Sequence, residues 1–560
     1  MRRFEAIERQ LVWDRLLAIV EDQAQTLMRT AFSPVVREAG DLSAGVFNTK
    51  GDMIAQAVTG TPGHVNAMAR SVRNFLQEFP ISDLNQGDVL LTNDPWLATG
   101  HLNDFTVVTP SFLDDRVVAF FASTSHIADV GGRGFGPDAN EVYEEGLLVP
   151  ISKLFDNGNI DETLMRLVRA NVRDPVVAEG DLYSLTACND AGSAKLLEMV
   201  REFELENLDS IGEEILNASR QAMEREIGQL PQGIYKYSMS VDGYDDPIHV
   251  QCAVTIHKDS IDIDFEGSSP VSRYGINVPL PYAEAYASFG ARCLIGNDIP
   301  NNEGSLSTIR VSAPVGSILN AEPPCPVSAR HALGQMLPDV VIGCLNEVIP
   351  DRVPSEGSSC IWNPVLMSDS SASPNFQSPH FVINPIFNGG TGARATRDGL
   401  STTAFPSGVR TTSTEVNEVT SPLVFMRREY RQDSGGAGEF RGGLGQVIEI
   451  QHAHGAPFVI SKMFDRIGHP ARGRNGALDG APGQVYLKGV GDLSGKGKEI
   501  VPAGSTLVME TPGGGGRGIP SERDSRELMK DVDAGLVSAE ASVQFYRAKT
   551  NRSKSKSLEC

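Results

Sequence analysis

Two short segments of the sequence are dense in residue types that bind metal ions. The first runs Asn93-Asp-Pro-Trp-Leu-Ala-Thr-Gly-His-Leu-Asn-Asp104, and the second runs Ser125-His-Ile-Ala-Asp-Val-Gly-Gly132. Together they contain two of the ten histidines of the chain, His101 and His126. Imidazole and carboxylate groups in combination bind divalent ions such as zinc, manganese or iron. The two segments therefore predict a divalent metal site.

The spacing of these residues indicates how they could meet. His101 and Asp104 are three residues apart, so a turn would bring both side chains to one side, whereas an extended strand would separate them. The glycine before His101 favours the turn. His126 follows a strand that could pair with the strand starting at Phe105, which would bring the second imidazole close. Asp41, in a Gly-Asp-Leu-Ser loop, is a candidate for a fourth ligand.

A structural interpretation of the same residues stays open at this point. An aspartate beside an asparagine or a proline often caps a turn, and a single histidine is often a hydrogen-bonded core residue. Residue spacing alone does not decide between a metal site and these structural roles.

The charge balance excludes several classes of function. The 560 residues include 49 Lys and Arg against 71 Asp and Glu, a formal net charge of −22, which disfavours binding to nucleic acids or anionic membranes. The exception is a basic tail, which we expect to be a solvated end: Arg547, Lys549, Arg552, Lys554 and Lys556. No apolar run reaches the ~20 residues of a membrane span, and the N-terminus does not have the pattern of a signal peptide. The seven cysteines are scattered, so we predict a soluble, cytoplasmic protein without disulfides.

The common nucleotide and hydrolase motifs are missing. The sequence has no Gly-x4-Gly-Lys-Ser/Thr, no Gly-x-Ser-x-Gly and no His-Glu-x-x-His. The run from Gly513 to Gly518 fits Gly-x-Gly-x-x-Gly, but too little chain follows it for a dinucleotide-binding unit. We instead expect an irregular loop in which the backbone approaches a neighbouring segment or a ligand closely.

The hydrophobic pattern predicts an α+β fold with several domains, mixed helices, largely antiparallel sheets and long Gly/Pro-rich loops. A helix is expected over Val12–Leu27, further helices over 160–172 and 190–227, and an antiparallel sheet over Tyr235–Phe265. In the helical pattern of Leu333–Val348, Pro338 either kinks the helix or starts a second one. We expect a metal-site domain over 1–230, a β-rich domain over 231–325, a helix and loop-rich β domain over 326–520, and a helical tail over 521–560.

Seven motifs in order along the chain resemble one known family. They are Asn93-Asp-Pro…Gly-His-Leu-Asn-Asp, Ser125-His-Ile-Ala-Asp-Val-Gly-Gly, Glu145-Gly-Leu, Ala170-Asn-Val-Arg, Gly180-Asp-Leu, Asp433-Ser-Gly-Gly-Ala-Gly-Glu-Phe-Arg-Gly-Gly-Leu-Gly and Thr511-Pro-Gly-Gly-Gly-Gly. This set resembles the hydantoinase B family. That family includes the B-type chains of ATP-dependent N-methylhydantoinase and caprolactamase, the C-terminal half of 5-oxoprolinase, and related chains of acetone and acetophenone carboxylases. The resemblance covers nearly the whole chain.

The resemblance implies a ligand set for the metal ion: Asp41, His101, Asp104 and His126. The sequence departs from the family pattern at Ile127, where relatives usually have a second histidine. A role of that second imidazole in proton transfer would therefore have no counterpart at position 127 of this chain.

The resemblance also implies a mechanism and a partner. An A-type subunit with an actin-like ATPase fold would bind ATP and phosphorylate a lactam or imide, and metal-bound hydroxide of this chain would then attack. Asp129 would orient or deprotonate the water, or would fix His126, which is the role we favour. Arg441, with Gly514 and Gly515, would meet a substrate carboxylate or phosphate, although a structural arginine in a tight turn fits equally well. The expected assembly is a hetero-oligomer such as (AB)2.

Two other functions compete with a cyclic-amide hydrolase. Within the same family, the chain could be a subunit of an ATP-dependent carboxylase of the acetone or acetophenone type. Outside catalysis, it could be a structural subunit in which the histidines only stabilise loops. Retention of all four implied ligands counts against the structural subunit.

Overall fold

The computed structural model describes residues 6–58, 60–369 and 380–547. Of the basic tail, Lys549, Arg552, Lys554 and Lys556 lie outside the described residues. None of the helices in the described part is long and apolar enough to cross a membrane.

The N-terminal part of the chain forms a seven-stranded antiparallel sheet in the order β2-β1-β5-β4-β3-β6-β7. Its strands are β1 (Leu42–Phe47), β2 (Met53–Gln56), β3 (Val89–Thr92), β4 (Asp104–Leu113), β5 (Arg116–His126), β6 (Ser152–Asp156) and β7 (Asn159–Ile160). The long central strands β4 and β5 are buried over most of their length, because helices cover both faces of the sheet.

The helices of this part, within the described residues, are α1 (Ala6–Thr30), α2 (Pro34–Arg37), α3 (Pro62–Glu78), α4 (Glu162–Asn171), α5 (Pro175–Glu202) and α6 (Asp209–Ile227). Successive strand residues point to opposite faces, so Phe121 packs with α1 and α5 while Phe120 packs with α3. The predicted first helix is confirmed, with its apolar stripe buried. The helical region predicted over 190–227 is interrupted, since α5 ends at Glu202 and α6 begins at Asp209.

The middle of the chain contains a four-stranded sheet in the order β11-β10-β9-β8. Its strands are β8 (Gly233–Val241), β9 (Ile248–Ile256), β10 (Ile261–Asp264) and β11 (Ile309–Ser312), and its neighbouring helices are α7 (Leu280–Arg292), α8 (Glu303–Leu306), α9 (His331–Gly334) and α10 (Leu337–Leu345). The antiparallel pairing predicted over 235–265 is confirmed. Pro338 starts a second helix rather than kinking one, because it lies in the first turn of α10, where its missing N–H costs nothing.

The C-terminal part consists of short strands and loops. Its strands are β12 (Ile361–Trp362), β13 (Val365–Ser368), β14 (Val382–Ile383), β15 (Phe387–Asn388), β16 (Leu423–Tyr430), β17 (Gln446–His452), β18 (Phe458–Met463), β19 (Gln484–Leu487), β20 (Gly491–Asp492), β21 (Lys496–Val501) and β22 (Leu507–Glu510). They form sheets in the orders β12-β15, β14-β13-β18-β21 and β16-β17-β22-β19-β20. The helices described for this part are α11 (Thr414–Thr420), α12 (Ser525–Asp533) and α13 (Ala539–Gln544).

The fold is thus α+β, with largely antiparallel sheets and several domains, as predicted. The domain boundaries themselves stay a prediction. One hydrophobic cluster extends from Met223 to Met509 and includes core residues on both sides of position 325. The middle sheet and the C-terminal strands therefore share one core.

Candidate functional site

Asp104 and His126 meet because their two strands pair. Asp104 is the first residue of β4 and lies directly opposite His126, the last residue of β5. The predicted strand pairing is therefore confirmed. The backbone N–H of Asp104 donates to the carbonyl of His101 at 3.4 Å, so a turn carries His101 back towards the carboxylate.

His101, Asp104 and His126 form a buried group that could hold a metal ion. His101 Nε2 is 2.7 Å from Asp104 Oδ1, and His126 Nδ1 is 3.3 Å from the same oxygen. One ligand atom from each of the three residues can be chosen so that all lie within 4.8 Å of one another. Clusters of this composition suit divalent ions of the first transition row and zinc.

The hydrogen bonds of His101 test whether the group fits a metal ion. His101 Nδ1 is 2.9 Å from the carbonyl oxygen of Ser328, which can only accept, so Nδ1 carries the proton and Nε2 has a free lone pair. Nε2 is buried and has no hydrogen-bond partner within the described chain, although it is 2.7 Å from the Asp104 carboxylate. A metal-binding histidine is typically held in this way, with its second nitrogen donating to a carbonyl. The group therefore fits a metal ion.

Glu145 fixes the backbone segment whose carbonyl group accepts the hydrogen bond of His101. Its Oε1 accepts the backbone N–H groups of Val327 and Ser328 at 2.7 and 2.8 Å, and Ser328 in turn accepts from His101. Oε2 of Glu145 is buried without a partner among the described residues. Burial raises the pKa of this carboxyl group to about 8, despite the two backbone donors, which lower it.

The other oxygen of Asp104, Oδ2, faces an imidazole and a guanidinium group. His64 Nε2 lies 2.8 Å from Asp104 Oδ2, and a guanidinium nitrogen of Arg330 donates to the same oxygen. Burial would raise the pKa of Asp104, but the surrounding His101, His64 and Arg330 outweigh it and hold that pKa well below its usual range. Asp104 is thus a carboxylate at neutral pH.

Two histidines of the site have opposite pKa directions. Burial and the charge of Arg330 lower the pKa of His101 to about 4, so His101 is neutral at pH 7, as a metal ligand must be. Burial also lowers the pKa of His64, but the carboxylates of Asp104 and Asp41 raise it more, and the net direction is upward.

Asp41 lines the cavity beside these residues but is not one of the three that form the metal-binding group, so its role as a ligand stays a prediction. Its Oδ1 is 3.6 Å from His64 Nδ1 and accepts from Thr61 Oγ1 at 3.1 Å. The backbone carbonyl of Asp41 accepts the N–H of His126. The loop before β1 is thereby fixed to the end of β5.

A small cavity opens onto these residues. Phe135 packs its ring edge-on against His101 and His126 and stacks on His331 at a centroid distance of 5.4 Å. The lining includes Asp41, Thr61, His64, Tyr282, Arg330, Gln335, Asn363 and Asn384, and the apolar residues Val35, Ile361, Ile386 and Val409. Residues from all three parts of the chain therefore meet around one cavity.

Asp129 does not line this cavity. Its Oδ1 accepts from the backbone N–H of Gly131 at 3.1 Å and from the guanidinium group of Arg173 at 2.7 Å. Arg173 also donates to the carbonyls of Gly131 and Gly132. Asp129 thus holds the glycine-rich loop that carries Phe135, and a direct role in catalysis stays a prediction.

Arg441 lies in a different charge cluster. It is buried and donates to Asp531 from Nε at 3.1 Å, while its backbone N–H donates to Asp398 at 2.7 Å. Arg523 donates to both of these carboxylates. The structure does not bring Arg441 to the histidine cavity, and substrate binding by Arg441 stays a prediction.

Gly514 and Gly515 lie between other backbone segments of the same chain. The N–H of Gly514 donates to Gly443, and the N–H of Gly515 donates to Glu356, both at 2.9 Å. A Cβ atom on Gly514 would lie 1.9 Å from the carbonyl oxygen of Thr391. Neither glycine lines the histidine cavity. The sequence predicted that this loop would approach either a neighbouring segment or a ligand, and the structure shows a close approach to neighbouring backbone segments.

Ile127 points away from the group. It is buried and lines a small apolar pocket with Phe105, Val130, Leu147 and Leu182. Ile127, which stands where relatives have a histidine, is therefore part of the hydrophobic core. It directly follows His126, and successive side chains along an extended backbone point to opposite sides.

Sequence reasoning missed several residues of this site, chiefly His64, Arg330, His331 and the three carboxamides Gln335, Asn363 and Asn384. His64 had a usable signal, because it follows a helix-start pattern, Gly60-Thr-Pro-Gly. The other residues come from distant parts of the chain, and only the packing of those parts brings them to β4 and β5.

Comparisons with known proteins agree on one family. The family described as Hydantoinase B/oxoprolinase matches residues 5–520. An uncharacterized protein of Methanocaldococcus jannaschii is 30% identical, over 95% of this chain and 94% of its own length. The putative B chain of a D-/L-hydantoinase from a Pseudomonas strain is 25% identical, over 98% and 95%. The 5-oxoprolinase 1 of Arabidopsis thaliana is 30% identical, and the match covers 90% of this chain but 41% of the plant protein.

Two solved structures share the fold. An ATP-dependent caprolactamase from Pseudomonas jessenii has a TM-score of 0.87 at 24% identity, covering 97% of this chain and 96% of its own. The nucleotide-free structure of an acetone carboxylase has a TM-score of 0.84 at 19% identity, covering 97% and 79%.

Proposed function

The chain belongs to the hydantoinase B/oxoprolinase family, and from this premise we propose that it is the metal-holding component of an ATP-dependent hydrolase of small cyclic amides. The observation that carries the proposal is the buried group of His101, Asp104 and His126 at the end of the β4–β5 pair. Buried ionisable groups with strongly shifted pKa values are typical of functional sites.

In the proposed site, His101, Asp104 and His126 hold the ion, and Asp41 is the fourth ligand. Two imidazoles and two carboxylates would accept zinc, manganese or iron. A divalent ion held by these residues would supply Lewis-acid chemistry and would make water a better nucleophile. Arg330 and His64 orient the Asp104 carboxylate, and Phe135 limits the access of bulk water.

Hydrolysis of an unstrained amide needs an activated substrate, and we propose that a partner supplies the activation. The proposed partner is a hydantoinase A-type subunit that binds ATP and phosphorylates the amide oxygen, in a hetero-oligomer such as (AB)2. The similarity of this chain to a hydantoinase B chain over 98% of its length supports a division of labour between two chains.

Asp129 has an indirect role in this proposal. By holding Gly131 and Arg173 it sets the position of the loop from which Phe135 packs on His101 and His126. It would therefore act as a positioning residue.

A carboxylase component is the second candidate, because the acetone carboxylase structure shares the fold over 97% of this chain. ATP turnover by the reconstituted complex would then depend on bicarbonate. A hydrolase would consume ATP with a cyclic amide in the absence of bicarbonate.

The experiment that tests the proposal begins with the metal content of the purified chain after dialysis against a weak chelator. We expect about one divalent ion per chain in the wild type, and a loss of that ion in Asp104→Asn and His126→Ala. His454→Ala replaces an exposed histidine and is the matched control. Addition of an A-type subunit and ATP should then give amide-dependent release of phosphate.

A well-folded wild-type chain without metal, in the presence and absence of the partner, would favour the structural subunit instead. Retention of the ion in both variants would exclude Asp104 and His126 as its ligands.

The cytoplasm is the proposed location. Cys188, Cys252, Cys293, Cys325, Cys344 and Cys360, the cysteines in the described part of the chain, are all free thiols. Free thiols are typical of a reducing compartment.

A further inference from the structure

The first turn of α3 contacts both carboxylates that are proposed to bind the ion. It is here called the α3 turn and consists of Thr61, Pro62, Gly63 and His64. Thr61 Oγ1 donates to Asp41 Oδ1 at 3.1 Å. His64 Nε2 lies 2.8 Å from Asp104 Oδ2. The backbone N–H of His64 donates to the carbonyl of Thr61 at 2.9 Å, so the two side chains belong to one closed turn.

The hydroxyl group of Thr61 does not cap its own helix. Thr61 is the N-cap residue of α3, and a threonine at this position typically accepts a backbone N–H of the first turn through its hydroxyl oxygen. In α3 this hydrogen bond is missing, and the hydroxyl group donates to Asp41 instead. The side chain of Thr61 therefore serves to hold Asp41 rather than to stabilise the start of the helix.

His64 is enclosed between the same two carboxylates. Its side chain is 3% exposed, and its Nδ1 is buried 3.6 Å from Asp41 Oδ1, without a hydrogen-bond partner among the described residues. A carboxylate oxygen can only accept, so Nε2 carries the proton that faces Asp104. A buried nitrogen that makes no hydrogen bond is costly. Hydrogen bonding alone therefore does not account for the placement of His64, whereas its contact with both carboxylates does.

Gly63 connects the α3 turn to Asp104 by a second route. A Cβ atom at this position would lie 2.7 Å from a ring carbon of Tyr282, so a glycine is needed for that ring to pack on the turn. The guanidinium carbon of Arg330 lies 3.9 Å from the centroid of the Tyr282 ring, and Arg330 donates to Asp104 Oδ2. The two groups that hold this oxygen, His64 and Arg330, are therefore both positioned by the α3 turn.

We propose that the α3 turn is the positioning element of the metal site, because it engages one oxygen of each ligand carboxylate and leaves the other oxygen to the ion. The turn engages Oδ2 of Asp104, while Oδ1 faces His101 and His126. It engages Oδ1 of Asp41, which assigns Oδ2 of Asp41 to the ion. Each carboxylate then binds through a single oxygen, so the protein supplies two nitrogen and two oxygen ligands. This inference rests on the proposed function, because it concerns the ligands of the proposed ion.

The test titrates the metal-free full-length chain with Co²⁺, whose visible absorption is strong at low coordination numbers and weak in six-coordinate sites. Thr61→Val and His64→Leu each free one carboxylate oxygen from its hydrogen-bond donor. We expect each variant to bind Co²⁺ at least about ten-fold more weakly than the wild type. The absorption per bound ion should also fall, because a freed carboxylate can bind through both oxygens. Thr61→Ser and His64→Gln keep a donor and should recover most of the affinity and of the absorption.

His257→Leu is the matched control, because His257 Nε2 also lies 2.8 Å from a carboxylate oxygen, that of Asp262, but is far more exposed and does not line the cavity. If His64→Leu does not fold, Thr61→Val decides the test, since valine and threonine have nearly the same shape. A wild-type spectrum in the folded variants, or an equal loss of affinity in Thr61→Ser and Thr61→Val, would overturn the inference and leave the proposed function standing. A wild-type chain that binds no Co²⁺, with or without the partner, would overturn both.

Discussion

Asp104 orients the site because its two oxygens face different partners. Oδ1 faces His101 and His126, and Oδ2 faces His64 and Arg330. The pair at Oδ2 fixes the carboxylate, so in the proposed metal site the Oδ1 side would be oriented before an ion binds. Such support around a ligand typically raises metal affinity, because less side-chain freedom is lost on binding.

The raised pKa of Glu145 predicts that the stability of the folded chain depends on pH. Its pKa rises from 4.5, the ordinary value, to about 8 in the folded chain, so the folded state binds more protons between these values. The free energy of unfolding should therefore fall as the pH rises through this window, by up to about 1.4 kcal/mol per pH unit.

Glu145→Gln keeps the acceptor for Val327 and Ser328 and removes the ionisation. Urea unfolding at several pH values across the same window should show a flatter dependence in this variant than in the wild type. Glu141→Gln, at an exposed position, should follow the wild type. If the unfolding free energies of the wild type and of Glu145→Gln changed with pH in the same way, the pH dependence could not be assigned to Glu145.

At the scale of elements, the ends of strands and the loops that follow them place the site. The strand ends supply Asp104 and His126, and the loop after β5 supplies Phe135. The loop before β1 supplies Asp41, and the first turn of α3 supplies His64. Functional residues at the ends of rigid central strands are a common arrangement, because the strands hold them in place without being disturbed by them.

Asp129→Asn should loosen the loop that carries Phe135 without removing the ion. The ion pair with Arg173 is partly exposed, so we expect a loss of less than about 1 kcal/mol in stability. Hydrogen exchange in the peptide around residues 130–136 should become faster, while metal content stays at the wild-type level. Asp138→Asn is the control, since Asp138 is about half exposed. Loss of the ion with unchanged exchange would support a direct role of Asp129 at the metal.

Gly514→Ala should destabilise the fold strongly. The added Cβ would lie 1.9 Å from the carbonyl oxygen of Thr391, and both segments are backbone that cannot rotate away. We expect a loss of at least about 3 kcal/mol or no folded chain, measured by thermal unfolding. Gly233→Ala, which meets only the tip of the flexible Tyr235 side chain, should cost far less. A stable Gly514→Ala chain with weaker substrate binding would restore a binding role for this glycine.

At the scale of the whole molecule, the cavity exists only because three parts of the chain pack together. The N-terminal sheet and its loops supply the histidine group, and the residues flanking α9 supply Arg330 and Gln335. The loops that follow β12 and β14 supply Asn363 and Asn384. A single hydrophobic cluster joins the last two parts.

Arg441 is expected to act on the stability of the whole molecule. With Arg523 it binds Asp398 and Asp531, and Asp531 belongs to α12, so this cluster fixes α12. Arg441→Gln leaves the buried carboxylate of Asp531 with less compensation and should lower the unfolding free energy by about 3 kcal/mol, measured by urea unfolding. The KM of the reconstituted complex should stay unchanged. A raised KM at unchanged stability would instead support contact between Arg441 and substrate.

Local patterns in the sequence were enough to predict several helices and strands and the proximity of three site residues, His101, Asp104 and His126. The apolar stripe of α1, the alternation over Tyr235–Phe265 and the strand before His126 follow local periods that survive folding, because side-chain direction depends on the local backbone. The proximity of His101, Asp104 and His126 was predictable for the same reason, since a turn and one strand pair suffice to join them.

The other residues of the site are set by long-range packing, which no local pattern encodes. Asn363 and Asn384 lie more than two hundred positions from His126, and no local period relates them to it. Contacts at such separations follow from how hydrophobic faces pack, and that packing depends on shape and volume over many residues at once. The same packing placed Gly514 among backbone segments, Arg441 against α12 and Asp129 behind the Phe135 loop, although their residue types are equally compatible with a site.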